Sequence, residues 1–224
     1  MMGMLLAAGR GERLRPLTDS LPKPLIEVQG KPLIVHHLEH LHAAGITEIV
    51  INVAWLADKI KTRLGNGSRY GVQIRYSDES HGALETGGGI LQALPLFGAG
   101  PFLVLNSDIY TDFPFAGLKA ALADDDLAHL VMVPNPPHHA DGDFALDAHG
   151  RLHADGTPRL TYAGIGVHRA EFFRECQPGR FPMLPWWQRA MRAGYVSGEL
   201  YAGYWQDIGT PESLRALDAL NSGS

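Results

Sequence analysis

Apolar positions in the first 130 residues alternate between two patterns. Short runs at Met2–Ala7, Glu48–Ala54, Val72–Tyr76 and Phe102–Leu105 have strand length, and the second is rich in β-branched residues. Between them, Leu33, Leu38 and Leu41 share one face of a helix that Pro32 opens and Gly45 ends. Leu56, Ile60 and Leu64 form a second helical stripe closed by Gly65, and Gly89–Leu94 reads as a short third helix. Leu25–Val28 is a brief apolar stretch that stops at the turn Gln29–Gly30. Strands alternating with helices predict an α/β fold with a mainly parallel sheet flanked by helices. Beyond residue 134 the order is less regular. His129–Val133 and Leu160–Val167 are strand candidates, and Met183–Ala193 and Glu212–Leu220 are helix candidates. A small antiparallel substructure is therefore expected in the second half. No repeat, linker or hexapeptide array interrupts the pattern, so residues 1–224 are expected to form a single domain.

Charge narrows the possible partners. Nineteen Lys and Arg against 24 Asp and Glu give a net charge of -5, which excludes a nucleic-acid binder relying on a broad basic surface. Cys176 is the single cysteine, so no disulfide scaffold is present. No apolar run approaches the roughly 20 residues needed to span a bilayer. Met1–Ala8 lacks a basic n-region and is followed at once by Arg10–Gly11–Glu12–Arg13, which predicts neither a signal peptide nor an anchor. A cytoplasmic protein without membrane or nucleic-acid partners is expected.

The candidate chemistry begins where the first strand ends. In an open α/β sheet, ligands bind beyond the carboxyl ends of the strands. There Gly9 and Gly11 let backbone amides approach a phosphate. The loop is not a dinucleotide fingerprint, because Leu14 occupies the place of the small residue, and no GxxxxGK[ST] loop exists. Arg13 and Arg15 follow, and then Lys23, restricted by Pro22 and Pro24 and able to meet the same phosphates as a point charge.

The two-part pattern LAAGRGERLRPLT and PKPL resembles the signature of the sugar-1-phosphate nucleotidyltransferases, enzymes of Rossmann-like fold. The resemblance implies that Gly11, Glu12 and Arg13 wrap a nucleoside triphosphate and that Lys23 holds its α-phosphate side. Asp108, after Phe102–Leu105, and Asp207, in Tyr204–Trp205–Gln206–Asp207, then resemble the family's Mg²⁺ pair. Two carboxylates suffice for this ion when phosphate oxygens and water complete its shell. Ser107 departs from the glycine common before the first aspartate, and it fits only if the backbone there is not left-handed. Arg13, Lys23 and Asp108 are the expected catalytic residues.

The same resemblance places nucleobase reading at Glu79, Thr86 and the backbone of Gly87 and Gly88. The segment Asn135–Phe144, with LETGGG and the chain length, is similar to the uridylyltransferases that act on N-acetylmuramic acid 1-phosphate in cell-wall recycling. That likeness implies UTP and this sugar phosphate as substrates, a monomer, and sugar contacts at Asn106, Asp143 and Gly164. No Glu-x-Asn sugar motif is present, which points away from N-acetylglucosamine 1-phosphate. A guanylyltransferase for a mannose- or heptose-type phosphate and a non-catalytic nucleotide-sensing subunit are the alternatives. His138, His139, Arg151 and Arg159 are candidate donors to the lactyl carboxylate of the sugar.

Other features read as structural. Among His36, His37, His40 and His42, His36 and His40 are spaced i, i+4, but the adjacent Glu and third ligand of a zinc site are lacking, so the four read as solvated helix histidines. Asp124–Asp125–Asp126 reads as an exposed turn, Trp186–Trp187 as helix packing, and Cys176 as inert.

Overall fold

Hydrophobic strands that are apolar on both faces must be covered on both sides, and this requirement organises the molecule. The structure is a computed structural model that describes residues 1–82 and 84–219. The first half contains β1 (Met2–Leu6), α1 (Leu17–Ser20), β2 (Glu27–Val28), β3 (Lys31–Pro32), α2 (Leu33–Ala43), β4 (Glu48–Val53), α3 (Ala57–Leu64), β5 (Gln73–Asp78), α4 (Glu85–Ala93), β6 (Phe102–Asn106) and β7 (Ile109–Thr111). The second half adds β8 (Ala128–Val133), β9 (Phe144–Leu146), β10 (Leu152–His153), β11 (Arg159–His168), α5 (Leu184–Arg192), β12 (Val196–Leu200), β13 (Trp205–Asp207) and α6 (Pro211–Ala219).

The strands β5, β4, β1 and β6 lie side by side and parallel. Next comes β11, antiparallel to β6 on one side and to β8 on the other, while β12 runs parallel to β8. The short strands β9 and β10 extend the antiparallel region from the start of β11. The expected mainly parallel sheet with a small antiparallel part is thus present. Its faces are sealed by two clusters, one including Leu5, Ile51, Leu105 and Leu38, the other Met4, Val104, Ile90 and Trp187. Alternate residues of β1 and β6 enter opposite clusters, as the two-residue period of a strand requires.

Three sequence expectations are corrected. Helix α4 starts at Glu85, four residues before the expected Gly89, so Gly87 and Gly88 lie inside it. Their amides both donate to Phe181 O, which supplies the acceptor an N-terminal turn lacks. Glycine is a poor helix former, but here it admits a neighbouring segment: a Cβ on Gly88 would sit 2.1 Å from Gly179 O. Second, Asp126 is not part of an exposed turn. It is 2% exposed, its Oδ1 accepts from Arg151 Nη1 at 2.6 Å, and its carbonyl accepts from Arg169 Nε. Third, Pro32 caps α2 from β3 rather than lying within its first turn. The end of the final helix expected at Leu220 falls outside the described residues.

Candidate active site

The parallel strands β1, β4, β5 and β6 end on one side of the sheet, and a cavity of about 240 Å³ opens there. It is lined by Ala7–Gly9 after β1, Lys23 and Pro24, Asn52 on β4, Glu79 after β5, Glu85 and Thr86 on α4, and Asn106–Asp108 after β6. Residues dispersed over the first half of the sequence converge because parallel strands present all their carboxyl ends together.

Lys23 opens a single turn, Lys23–Leu25, that follows extended Pro22. This turn buries the lysine stem, leaving Lys23 9% exposed, and aims Nζ at Asp108 Oδ2, 2.7 Å away. The glycine loop is tied to the same region, since Thr18 Oγ1 donates to Gly11 O. Glu12 and Arg13 are exposed on the turn that follows. Ser107 meets the condition placed on it: it is not among the residues of positive φ, and its hydroxyl donates to Leu6 O.

Asp207 reaches Asp108 through strand pairing. In the β7–β13 ladder Asp207 lies opposite Ile109, and Ile208 N donates to Asp108 O at 2.7 Å. The backbones that carry the two predicted carboxylates are therefore neighbours, although Asp207 lines an adjoining cavity with His138 and Trp205 rather than the one Asp108 lines. Arg13 lies on the Asp207 side, because a Cβ on Gly209 would lie 2.8 Å from Arg13 Nη2 and 3.1 Å from Asp207 Oδ2. His138 Nε2 is 3.2 Å from Asp207 Oδ1. Among the described residues, no three His, Cys, Asp or Glu side chains are grouped as a self-contained metal cage would need. A carboxylate pair suits a hard cation whose other ligands come from phosphate oxygens and water.

On the nucleobase side the predicted residues divide. Thr86 lines the cavity, while Gly87 does not, and its amide is engaged by Phe181. The expectation that Gly87 and Gly88 offer free backbone donors is corrected by that engagement. Glu79 borders the cavity but is only 3% exposed, and both its oxygens are held. Asn52 Nδ2 donates to Oε1 at 2.7 Å and Leu84 N to Oε2 at 3.2 Å. Glu85, at φ +59 and paired with Arg180 at 2.8 Å, holds the first turn of α4 in a conformation uncommon for a residue with a side chain.

On the sugar side, Asn106 and Gly164 meet. The ladder between β11 and β8 shifts register between Tyr162 and Gly166, and Gly164 within that bulge has φ +76. A Cβ there would lie 2.9 Å from the Asn106 side chain. Trp205 Nε1 donates to Ala163 O, joining the bulge to the strand that carries Asp207. Asp143 is not among the cavity-lining residues. Its Oδ2 accepts from Tyr162 N and its Oδ1 from His139 Nε2, so it ties the turn that carries His139 to the start of the bulge. Asn135 pins the preceding turn by donating to Ala140 O and Arg159 O while accepting from Thr161 Oγ1.

Of the four candidate donors, His138 reaches Asp207 and His139 reaches Asp143. Arg151 is withdrawn into the Asp126 pair and Arg159 folds back on Gly156 O. The reading of the α2 histidines as solvated is corrected at His37, which is buried, and burial, with His40 and His36 adding, lowers its pKa to about 3; half-buried His36 bonds through Nε2 to Val28 O. Trp187 packs in the core against Tyr162 and Phe144. Cys176 is buried, and burial raises its pKa.

Asn52 and Glu85 line the cavity and were not among the candidates read from the sequence. For Asn52 the signal was available: one amide stands in the otherwise apolar run 49–54, where a buried polar group needs partners.

A family profile described as Nucleotidyl transferase matches residues 2–154. The chain is 50% identical over 226 residues to an N-acetylmuramate alpha-1-phosphate uridylyltransferase of Neisseria meningitidis serogroup B, covering 98% of each chain. It is 37% identical over 231 residues to the protein of the same name from Caulobacter vibrioides, covering 97% of this chain and 96% of that one. The solved structure of HddC from Yersinia pseudotuberculosis complexed with GMP-PN superposes with a TM-score of 0.82. It covers 98% of this chain and 99% of that chain at 20% identity, a likeness of fold alone.

Proposed function

The chain belongs to the nucleotidyl transferase family, and on that premise we propose that it transfers UMP from UTP to N-acetylmuramate α-1-phosphate, releasing pyrophosphate. The two full-length relatives bearing that activity in their names support the choice of substrates. The observation that supports the reaction class is the Lys23–Asp108 pair at the carboxyl ends of the sheet, with Asp207 and Arg13 brought alongside by the β7–β13 ladder and the turn at Gly209.

In this reaction an oxygen of the sugar phosphate attacks the α-phosphorus of UTP. A new P–O bond forms as the bond to pyrophosphate breaks in line. The nucleophile is already an anion, so no general base is required. The barrier lies in bringing anions together and in the charge that develops on the leaving group. Lys23, fixed by its proline-flanked turn, holds the α-phosphate side without having to be reorganised. Arg13 lies on the Asp207 side and opposes the triphosphate charge there. Asp108 and Asp207 would hold Mg²⁺, which when bound supplies charge neutralisation to the phosphate oxygens. Ala7–Gly9 and Thr86 border the nucleotide, and Asn106 beside Gly164 borders the sugar. We place the enzyme in the cytoplasm as a monomer serving peptidoglycan recycling. No helix among the described residues is long and apolar enough to cross a membrane.

The test is a matrix of four nucleoside triphosphates against several sugar 1-phosphates, read by pyrophosphate release. The highest kcat/KM is expected for UTP with N-acetylmuramate 1-phosphate. Preference for GTP with a mannose- or heptose-type phosphate would replace this reading with a guanylyltransferase. Nucleotide binding without turnover of any pair would replace it with a nucleotide-sensing subunit.

A further inference from the structure

A chain of buried hydrogen bonds crosses the floor of the cavity and joins its two loops. Ala7 N, at the start of the glycine loop, donates to Asn52 Oδ1 at 2.8 Å. Asn52 Nδ2 donates to Glu79 Oε1 at 2.7 Å, and Glu79 Oε2 accepts from Leu84 N at 3.2 Å, one residue before α4. Asn52 and Glu79 are each 3% exposed; Asn52 lies on β4 and Glu79 directly follows the adjacent β5. Their fit is tight: a Cβ on Gly89 would lie 2.5 Å from Glu79 Oε1 and 3.0 Å from Asn52 Nδ2. A buried carboxylate carries a large desolvation cost, and an apolar pair would fill the same space without it. What the polar pair adds is direction. Each side chain bonds to one named loop, so the separation of the loops is set by directed bonds rather than by packing alone.

We infer that Asn52 and Glu79 are a positioning pair that holds the phosphate-binding and base-binding loops in one register, so that triphosphate and base are received together. The inference rests on the nucleotidyl-transfer reading, because it needs the two loops to bind two ends of one nucleotide. Glu79 then governs base recognition through the backbone of Leu84 and the start of α4, without touching the base. Because the pair lies on the nucleotide side, its loss raises KM for the nucleoside triphosphate and weakens discrimination among bases. KM for the sugar phosphate, held beyond β6 and β11, changes little.

The donor–acceptor pattern permits a reciprocal test. Glu79→Gln alone turns an NH₂ group toward either Asn52 Nδ2 or Leu84 N, placing two donors face to face. Asn52→Asp alone sets two carboxylates against each other. The double variant Asn52→Asp/Glu79→Gln restores every bond, with only the donor between the two side chains exchanged. The carboxylate at position 52 then accepts from Ala7 N and from the side-chain amide at position 79, whose carbonyl oxygen accepts from Leu84 N. Each single variant is expected to raise KM for UTP about tenfold or more, as befits a buried unsatisfied group, and to narrow the preference for UTP over GTP and CTP. KM for the sugar phosphate should stay within about threefold, the context spread expected where no contact is lost. The double variant should return both KM for UTP and base preference to near the wild-type values.

Folded single variants with unchanged KM for UTP would overturn the inference, as would a double variant no better than the worse single one. If the single variants fail to fold, a folded double variant with wild-type nucleotide KM supports the pair, and an unfolded one overturns it. Failure of the proposed activity would be visible separately, in a wild-type protein that turns over no nucleotide–sugar pair.

Discussion

The two sides of the cavity are built by different means. The triphosphate side rests on β1, β4 and β6, whose Leu5, Ile51 and Leu105 are fully buried, and Lys23, Asp108, Asn52 and Glu79 there are bonded within the protein. The sugar side rests on a turn, a bulge and three-residue strands, and it is held by partly exposed pairs such as His139–Asp143. The first is a rigid frame that fixes charges before substrate arrives. The second can change residue by residue without disturbing the core, which suits a region that must distinguish one sugar from another. Chemistry shared by many enzymes belongs on the first kind of scaffold and specificity on the second.

Breaking the rigid side should cost most. Lys23→Ala is expected to fold and to lower turnover by about 10²-fold or more, because a fixed charge on the reacting phosphate is lost. Turnover and KM within threefold of wild type would show that Lys23 has no such role. Asp108→Asn and Asp207→Asn should each raise the Mg²⁺ concentration for half-maximal activity by about tenfold or more, since each removes an anionic oxygen. An unchanged Mg²⁺ titration would remove that residue from the metal site.

The adaptable side should respond in substrate preference. Wild-type enzyme is expected to prefer N-acetylmuramate 1-phosphate over N-acetylglucosamine 1-phosphate by about tenfold or more, the worth of one charge-assisted hydrogen bond to the lactyl carboxylate. His138→Ala and His139→Ala test the two donors that the fold brings to this side. One of them should erase most of the preference, and His139→Ala should leave KM for UTP within about twofold, because its partner Asp143 lies outside the nucleotide cavity and the proposed metal pair. Equal kcat/KM for both sugars in the wild type would detach the sugar assignment from the reaction class.

The smallest effect concerns stability away from the cavity. His168 is buried, accepts a hydrogen bond from Trp187 Nε1, and has its pKa lowered by burial from 6.5 to about 4. Between those values the unfolded chain binds a proton that the folded one refuses. The stabilising contribution is therefore complete above pH 6.5 and is lost as pH falls toward 4. His168→Gln, which keeps an acceptor for Trp187, should show a smaller drop in Tm between about pH 7 and pH 4.5 than wild type. An identical drop would locate acid sensitivity elsewhere, with His37 the next candidate.

What could be read from the sequence follows from the range of each signal. Hydrophobic period is local, so β1, α2, β4, α3 and β6 were legible from their own residues, as was the glycine loop with its lysine. Strands β12 and β13 were not. Val196–Leu200 contains Gly198, which sits against Leu130 O, and Trp205–Asp207 is too short to show alternation; both exist because β8 and β7 offer open edges. Asp126 looked like one of three solvated acids until Arg151, 25 residues later, was folded onto it. The residue types of the candidate site were likewise written in the chain: an arginine, a lysine and two aspartates at the ends of apolar runs. Their roles relative to one another were not. Only tertiary structure set Asp207 beside Asp108, took the Gly87 amide for Phe181, and joined Asn52 to Glu79 across 27 residues. The chain by itself determines which groups are available, because side-chain chemistry and backbone period belong to single residues and their neighbours. Distance between groups far apart in the chain is decided by the packing of the whole sheet, which no local pattern contains.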